Sequence, residues 1–180
     1  MTSIPFLPLS GAARIAACGL VVLAVSLVSV ARGAVVAESK LGVVVAGAAE
    51  AAEAGAEVLR QGGTAADAAV AVSLSLTIAE PFNSGIGGKL AGLYYDAASG
   101  KTWFIDGLGR APAHLPVAEM VAAPKVERER GYKSVCVPGA VAALEVLHER
   151  WGKLPWKQCA EPAVQLAEKG FHVPAKQAFV

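Results

Sequence analysis

Residues 68–79, AAVAVSLSLTIA, carry no charge, and Ala69, Val70, Val72, Leu74, Leu76 and Ile78 occupy every side of a helical wheel. A helix of that pattern offers no face to water, so the fold must cover it all round. Its two ends are marked. Gly62-Gly63 stops the preceding helix, because a helix C-terminus often needs a left-handed residue that glycine adopts at least cost. Thr64 then offers a hydroxyl to the N–H groups of the first turn, and Asp67, three residues on, is a weak capping-box partner suited to the positive end of the helix dipole. Glu80-Pro81 ends the run, since a residue before proline is pushed out of the α region. Asn83-Ser84-Gly85-Ile86-Gly87-Gly88 brings main chain close to another strand or to a ligand.

The flanking segments supply cover. Residues 41–46 read as a short buried strand and residues 48–61 as a helix, with Glu50, Glu53 and Glu57 on a solvated face and Arg60 as a partner for Glu57. Residues 90–95 and 101–105 form two strands joined by Asp96-Ala97-Ala98-Ser99-Gly100, a hairpin-length loop. Leu93-Tyr94-Tyr95 and Trp103-Phe104-Ile105 are large at consecutive positions, which predicts cover on both faces of the hairpin, helices on one side and a second sheet on the other. The expected class is α/β (α+β), as part of an αββα sandwich.

Further on, residues 106–112 leave the second strand as a tight loop, 116–121 form a helical turn, and 122–133 are polar enough to lie outside. Residues 135–137 read as a short strand and 140–151 as a helix whose Val141, Leu144, Leu147 and Trp151 share one side, with His148 packed near that stripe. A last helical stretch opens at Leu154-Pro155-Trp156, is interrupted or restarted at Pro162, and closes at Gly170. His114 and His172 lie in proline-flanked loops without a second ligand at metal spacing, so neither a metal site nor a cofactor is expected. Of three cysteines, Cys136 and Cys159 read as buried free thiols.

Residues 1–34 read as a signal peptide or an N-terminal membrane anchor. Arg14 precedes an apolar or small run at 15–30, long for a signal-peptide core and short for a membrane span of about twenty residues. Small residues at Ser29-Val30-Ala31 and Ala31-Arg32-Gly33 place cleavage near Ala31, and an uncleaved anchor through residues 15–30 is the alternative. Ile15-Ala16-Ala17-Cys18 has the form of a lipobox but precedes the apolar core instead of following it. Either reading exports residues 35–180, to the periplasm, the exterior or a membrane surface. The 16 basic and 15 acidic residues nearly cancel, and nothing in the sequence suggests the clustered basic face that nucleic-acid binding requires, so no nucleic-acid partner is expected.

The run EAGAEVLRQGGTAADAAVAVSLSLTIAEPFNSGIGG, followed by YDAASGKTWFIDGLGRAP, resembles the start of the gamma-glutamyltransferase (glutathione hydrolase) family, a branch of the N-terminal-nucleophile hydrolases, and the likeness extends from about Val36 to the end. The resemblance implies the αββα sandwich and a precursor that cuts itself ahead of a threonine. That threonine becomes the first residue of a small subunit, where its hydroxyl attacks a γ-glutamyl amide and its freed α-amine is the base. None of Thr2, Thr64, Thr77 and Thr102 lies in the Thr-Thr-His-type context of such a nucleophile, so no catalytic residue is expected in residues 35–180. These residues are expected to be a truncated N-terminal portion of the large subunit, inactive alone, with the remainder of the precursor and a γ-glutamyl peptide or related amide as partners.

The resemblance also implies an arginine, in a loop of the type Asp-Gly-Arg-Glu-x-Ala-Pro, that grips the substrate carboxylate as a paired fork. Aligned from Asp106-Gly107 to Ala111-Pro112, those positions hold Leu108 and Gly109, and Arg110 is the candidate substrate-binding residue. Lys89 likewise stands where family members continue a glycine run. These departures favour a divergent member, and the alternatives are an acylase acting on other acyl amides or a non-catalytic exported paralogue with a binding role. Taken alone, residues 35–180 are expected to pack poorly, because the helix at 68–79 would lack one covering layer.

Overall fold

The computed structural model describes residues 37–175 and residue 178. In chain order the elements are α1 (Ala49–Arg60), α2 (Ala65–Ala79), β1 (Leu90–Asp96), β2 (Lys101–Gly107), the short helices α3 (Val117–Ala122) and α4 (Lys125–Glu129), a 3-10 turn at Tyr132–Ser134, α5 (Ala140–Trp151) and α6 (Trp156–Lys169).

Helix α2 is the uncharged run, and it is central. Ala66, Val70 and Ala71 have no exposed surface. Val72 and Leu76 pack toward α1, where Ala48, Ala51 and Ala79 form one cluster. Val70 meets Leu144 of α5 and Cys159 of α6 in another. Full burial of a side chain such as Val70 contributes about 1.5–3 kcal/mol relative to exposure. The turn before α2 is as expected: Gly62 has φ +86°, and its N–H and that of Gly63 close the α1 terminus on Leu59 and Val58 carbonyls at 3.0 Å. Thr64 and Asp67 complete a reciprocal capping box.

β1 and β2 pair antiparallel, from Leu90 opposite Gly107 to Asp96 opposite Lys101. Burial alternates along both strands, which corrects the expectation of cover on both faces. Tyr94, Trp103 and Ile105 point to the helices, where Tyr94 stacks on Trp151 at 4.3 Å between ring centroids and Ile105 joins Ala66, Ala143 and Leu147. Leu93, Tyr95 and Phe104 point the other way, with Leu93 76% and Phe104 63% exposed. Large residues sit at consecutive positions because the open face carries apolar side chains too. Uncovered apolar surface lies on the hairpin and also along the C-terminal half of α2, where Leu74 and Ile78 are half-buried and border an apolar groove with Ile86 and Val164. Gly107 is required at the inner face, since a β-carbon there would collide with Ala143 and lie 2.8 Å from the Gly139 carbonyl oxygen.

Three further expectations are revised. Residues 41–46 are extended without pairing to any described strand, and Leu41 is fully exposed. Only Val44 and Ala46 lean inward, so this segment is a strap along α1. The strand at 135–137 reduces to a single bridge between Val137 and Arg110. Helix α6 runs through Pro162 without a break, because α6 packs along α2 and holds the backbone helical despite the missing N–H.

Candidate functional site

The hairpin, the glycine turn and the segment leading into α5 meet at one end of the sheet, where β1 begins and β2 finishes. Main-chain hydrogen bonds hold them: Arg110 N–H donates to the Val137 carbonyl at 3.1 Å, Val137 N–H returns to the Arg110 carbonyl at 2.8 Å, and Ala140 N–H reaches the Gly88 carbonyl at 3.3 Å. Leu108 N–H donates to the Asp106 carboxylate at 3.0 Å, which shapes the exit of β2 as an Asx turn. The loop expected to bind substrate is thus fixed against both the glycine turn and the N-terminus of α5.

Arg110 is exposed, and its guanidinium forms no ion pair with any described residue. It borders a shallow cavity of about 190 Å³ beside Asp106, Ala142, Val146 and Arg150. Lys89, across the loop, borders a different cavity of about 170 Å³, with Ser73, Thr77, Asn83, Ser84 and Val141 in its wall. The structure therefore sets Arg110 and Lys89 at separate cavities.

A second constellation went unnoticed in the sequence. Asp67 has no exposed surface, yet its carboxylate accepts hydrogen bonds from Thr64 N–H at 2.8 Å, Thr64 Oγ1–H at 3.0 Å, Lys153 N–H at 2.9 Å and Leu154 N–H at 3.4 Å. Burial alone would raise its pKa. The hydrogen bonds from Thr64, Lys153 and Leu154 outweigh that effect and hold the carboxyl below the ordinary range. The Cys159 thiol donates to it at 3.6 Å, and burial together with the Asp67 charge pushes that thiol up to about 11. His148 Nε2–H donates to the Leu154 carbonyl at 2.8 Å and lies 3.5 Å from Asp67.

These three side chains converge within 4.8 Å, a separation compatible with metal ligation. The donor set fits a cation poorly: the Asp67 oxygens already accept N–H groups from both sides of the helix junction, and His148 Nε2 is turned to the Leu154 carbonyl. The arrangement is an anchored carboxylate that ties the start of α2 to the turn between α5 and α6. The sequence signal was the single acid at the head of an otherwise uncharged helix. Its partners are far apart in the chain.

The threonines of the described part are also engaged structurally. The single Thr64 Oγ1 proton is shared between the Asp67 carboxylate and the Trp151 carbonyl, 2.8 Å away, Thr77 bonds to the Leu74 carbonyl, and Thr102 lies on β2 at the exposed hairpin face. Thr64 touches a carboxylate, that of Asp67, and there its hydroxyl serves as the cap of α2.

The profile of the gamma-glutamyltranspeptidase family matches residues 51–180. The chain belongs to the gamma-glutamyltranspeptidase family. Over 128 residues it is 41% identical to the glutathione hydrolase proenzyme of Bacillus subtilis strain 168, covering 68% of this chain and 22% of that relative. The crystal structure of gamma-glutamyltranspeptidase from Helicobacter pylori superposes with a TM-score of 0.72 at 30% identity, over 80% of this chain and 42% of that one. The cephalosporin acylase of Bacillus halodurans superposes at 0.64 with 35% identity, over 72% and 24%. This gamma-glutamyltranspeptidase-family chain thus spans about a fifth of the length of the curated relatives it matches, and its fold is the N-terminal part of the N-terminal-nucleophile hydrolase architecture.

Proposed function

We propose that the chain is the N-terminal part of the large subunit of a precursor that hydrolyses or transfers γ-glutamyl amides, with the nucleophilic threonine and the oxyanion donors supplied by the remainder of that precursor. The observation that carries this reading is the joint match of residues 51–180 in sequence and of the helices and hairpin in structure. The open hairpin face of Leu93, Tyr95 and Phe104 is then where the second sheet of the sandwich packs. Arg110 is a substrate-binding candidate because it is exposed at the end of β2 and has no carboxylate partner among the described residues. Export through the apolar run at 15–30, by a cleaved signal or an anchor, completes the proposal. That run lies outside the described residues, and no described helix is long and apolar enough to cross a membrane.

A second reading, an acylase acting on other acyl amides, rests on Leu108 and Gly109 at the positions where the resemblance implies arginine and glutamate. One assay separates the two. The chain joined to its downstream coding sequence is tested for self-cleavage and for turnover of γ-glutamyl-p-nitroanilide against an aliphatic acyl-p-nitroanilide. Turnover of the γ-glutamyl substrate supports the first reading, preference for the aliphatic one supports the second, and absence of self-cleavage refutes both.

A further inference from the structure

We propose that Lys89 is an anion-contacting residue of this chain and that it takes the carboxylate of the substrate, a contact distinct from Arg110; the inference rests on the γ-glutamyl reading above. The hairpin register is the first ground. Leu90 pairs with Gly107, so the next positions outward, Lys89 and Leu108, lie across from each other at the mouth of the hairpin. A positive charge missing from 108, just past the end of β2, is thus present at 89, just before the start of β1.

The second ground is the space around Gly109. A β-carbon there would collide with Cys136 Sγ, lie 3.0 Å from Cys136 Cβ and lie 3.4 Å from Lys89 Cε. A glutamate at 109 therefore requires the Cys136 side chain to move. The room it would need is filled by the Cys136 side chain and by the arm of the lysine, which is drawn over the loop. Three departures at Lys89, Leu108 and Gly109 become one change in space: an arginine and its neighbouring acid are replaced by a lone cation reaching in from the adjacent strand. No described carboxylate lies within 4.0 Å of that ammonium, so no ion pair within the described residues neutralises it. The cavity it borders is small and mixed, with Ser73, Asn83 and Ser84 beside Leu74, Ile86 and Val141 in its wall, so Lys89 is the cation of that lining.

Cys136 supplies the reporter. In the chain carrying Cys18→Ser, the rate of Cys136 modification is measured with dianionic 5,5′-dithiobis(2-nitrobenzoate) and with uncharged 4,4′-dithiodipyridine, Cys159 being buried and protonated. At low ionic strength Lys89→Gln is expected to lower the anionic-to-neutral rate ratio about fivefold, as loss of one charge a few ångströms away requires, and Lys89→Arg to preserve it. Lys89 is exposed, so the exchange leaves the packing in place. An unchanged ratio in Lys89→Gln overturns the assignment. In the same assay, L-glutamate is expected to slow the anionic reagent more than its α-amide does, and Lys89→Gln to abolish that difference; a difference retained in Lys89→Gln overturns the assignment. If neither compound protects while the ratio still depends on Lys89, the lysine stands as an anion contact and the γ-glutamyl reading is what fails.

Discussion

The Asp67 carboxylate, buried at the first turn of α2, accepts the backbone N–H of Lys153 at 2.9 Å, and by that bond the central helix is fastened to the turn between α5 and α6. The residues joined are remote in the chain, so the bond helps to close the fold, not merely to cap a helix. Replacing Asp67 by Asn leaves a donor amide facing N–H donors. The expected cost is about 2–4 kcal/mol, because charged hydrogen bonds are lost and buried donors are left without an acceptor. Urea unfolding of the two proteins measures it, and a loss below about 1 kcal/mol would show that Thr64 alone holds the junction.

The same carboxyl sets an acid limit. Its folded-state pKa lies below the unfolded value, so the stability it contributes is fully present above the unfolded pKa of about 4 and is lost as pH falls through the lower folded value. Thermal melts are expected to drop more steeply below pH 4 in the wild type than in Asp67→Asn, which has no proton to bind there. Parallel acid limbs in both proteins would contradict this.

Cys159 is expected to be silent toward thiol reagents at pH 8 until the protein unfolds. Burial and the Asp67 charge push its thiol to about 11, leaving about one part in a thousand as thiolate even before access is considered. Mass spectrometry after brief iodoacetamide treatment should find Cys136 modified and Cys159 intact. Early labelling of Cys159 in a folded sample would show the α2–α6 contact to be open.

The open hairpin face should make the chain associate with itself. Leu93 and Phe104 are directly opposed in the register and both are exposed, a patch of the kind that drives association. Substituting both by Lys is expected to shift the chain toward monomer in analytical ultracentrifugation with little change in its melting temperature. Unchanged association would place the contact elsewhere.

The architecture was largely legible in the residues. An uncharged helix such as α2 can only be central, and the turn at Gly62 and the cap at Thr64 and Asp67 are local chemistry that needs no tertiary knowledge. The errors came where tertiary context decides. The apolar run at 41–46 has strand composition but no neighbouring strand to pair with, and Pro162 sits inside a helix that packing keeps intact. Leu93 and Phe104 were read as sandwiched because apolar residues on both faces of a strand signal cover on both, and among the described residues nothing covers the outer face of this hairpin. The Asp67, His148 and Cys159 group was invisible because each looked like an ordinary helix residue, and only the fold brings them together. The loop proposed to bind substrate could be located from Asp106-Gly107 and Ala111-Pro112, while the placement of Lys89 over Gly109 required coordinates.

A ribbon of two strands has a consequence for its backbone amides. In antiparallel pairing each strand turns alternate N–H groups toward its partner and the others outward, so along β1 and β2 protected and unprotected positions should interleave residue by residue. Deuterium uptake read at single-residue resolution would then show a comb of slow and fast sites, and its fast teeth would slow only when another strand lies down along the edge.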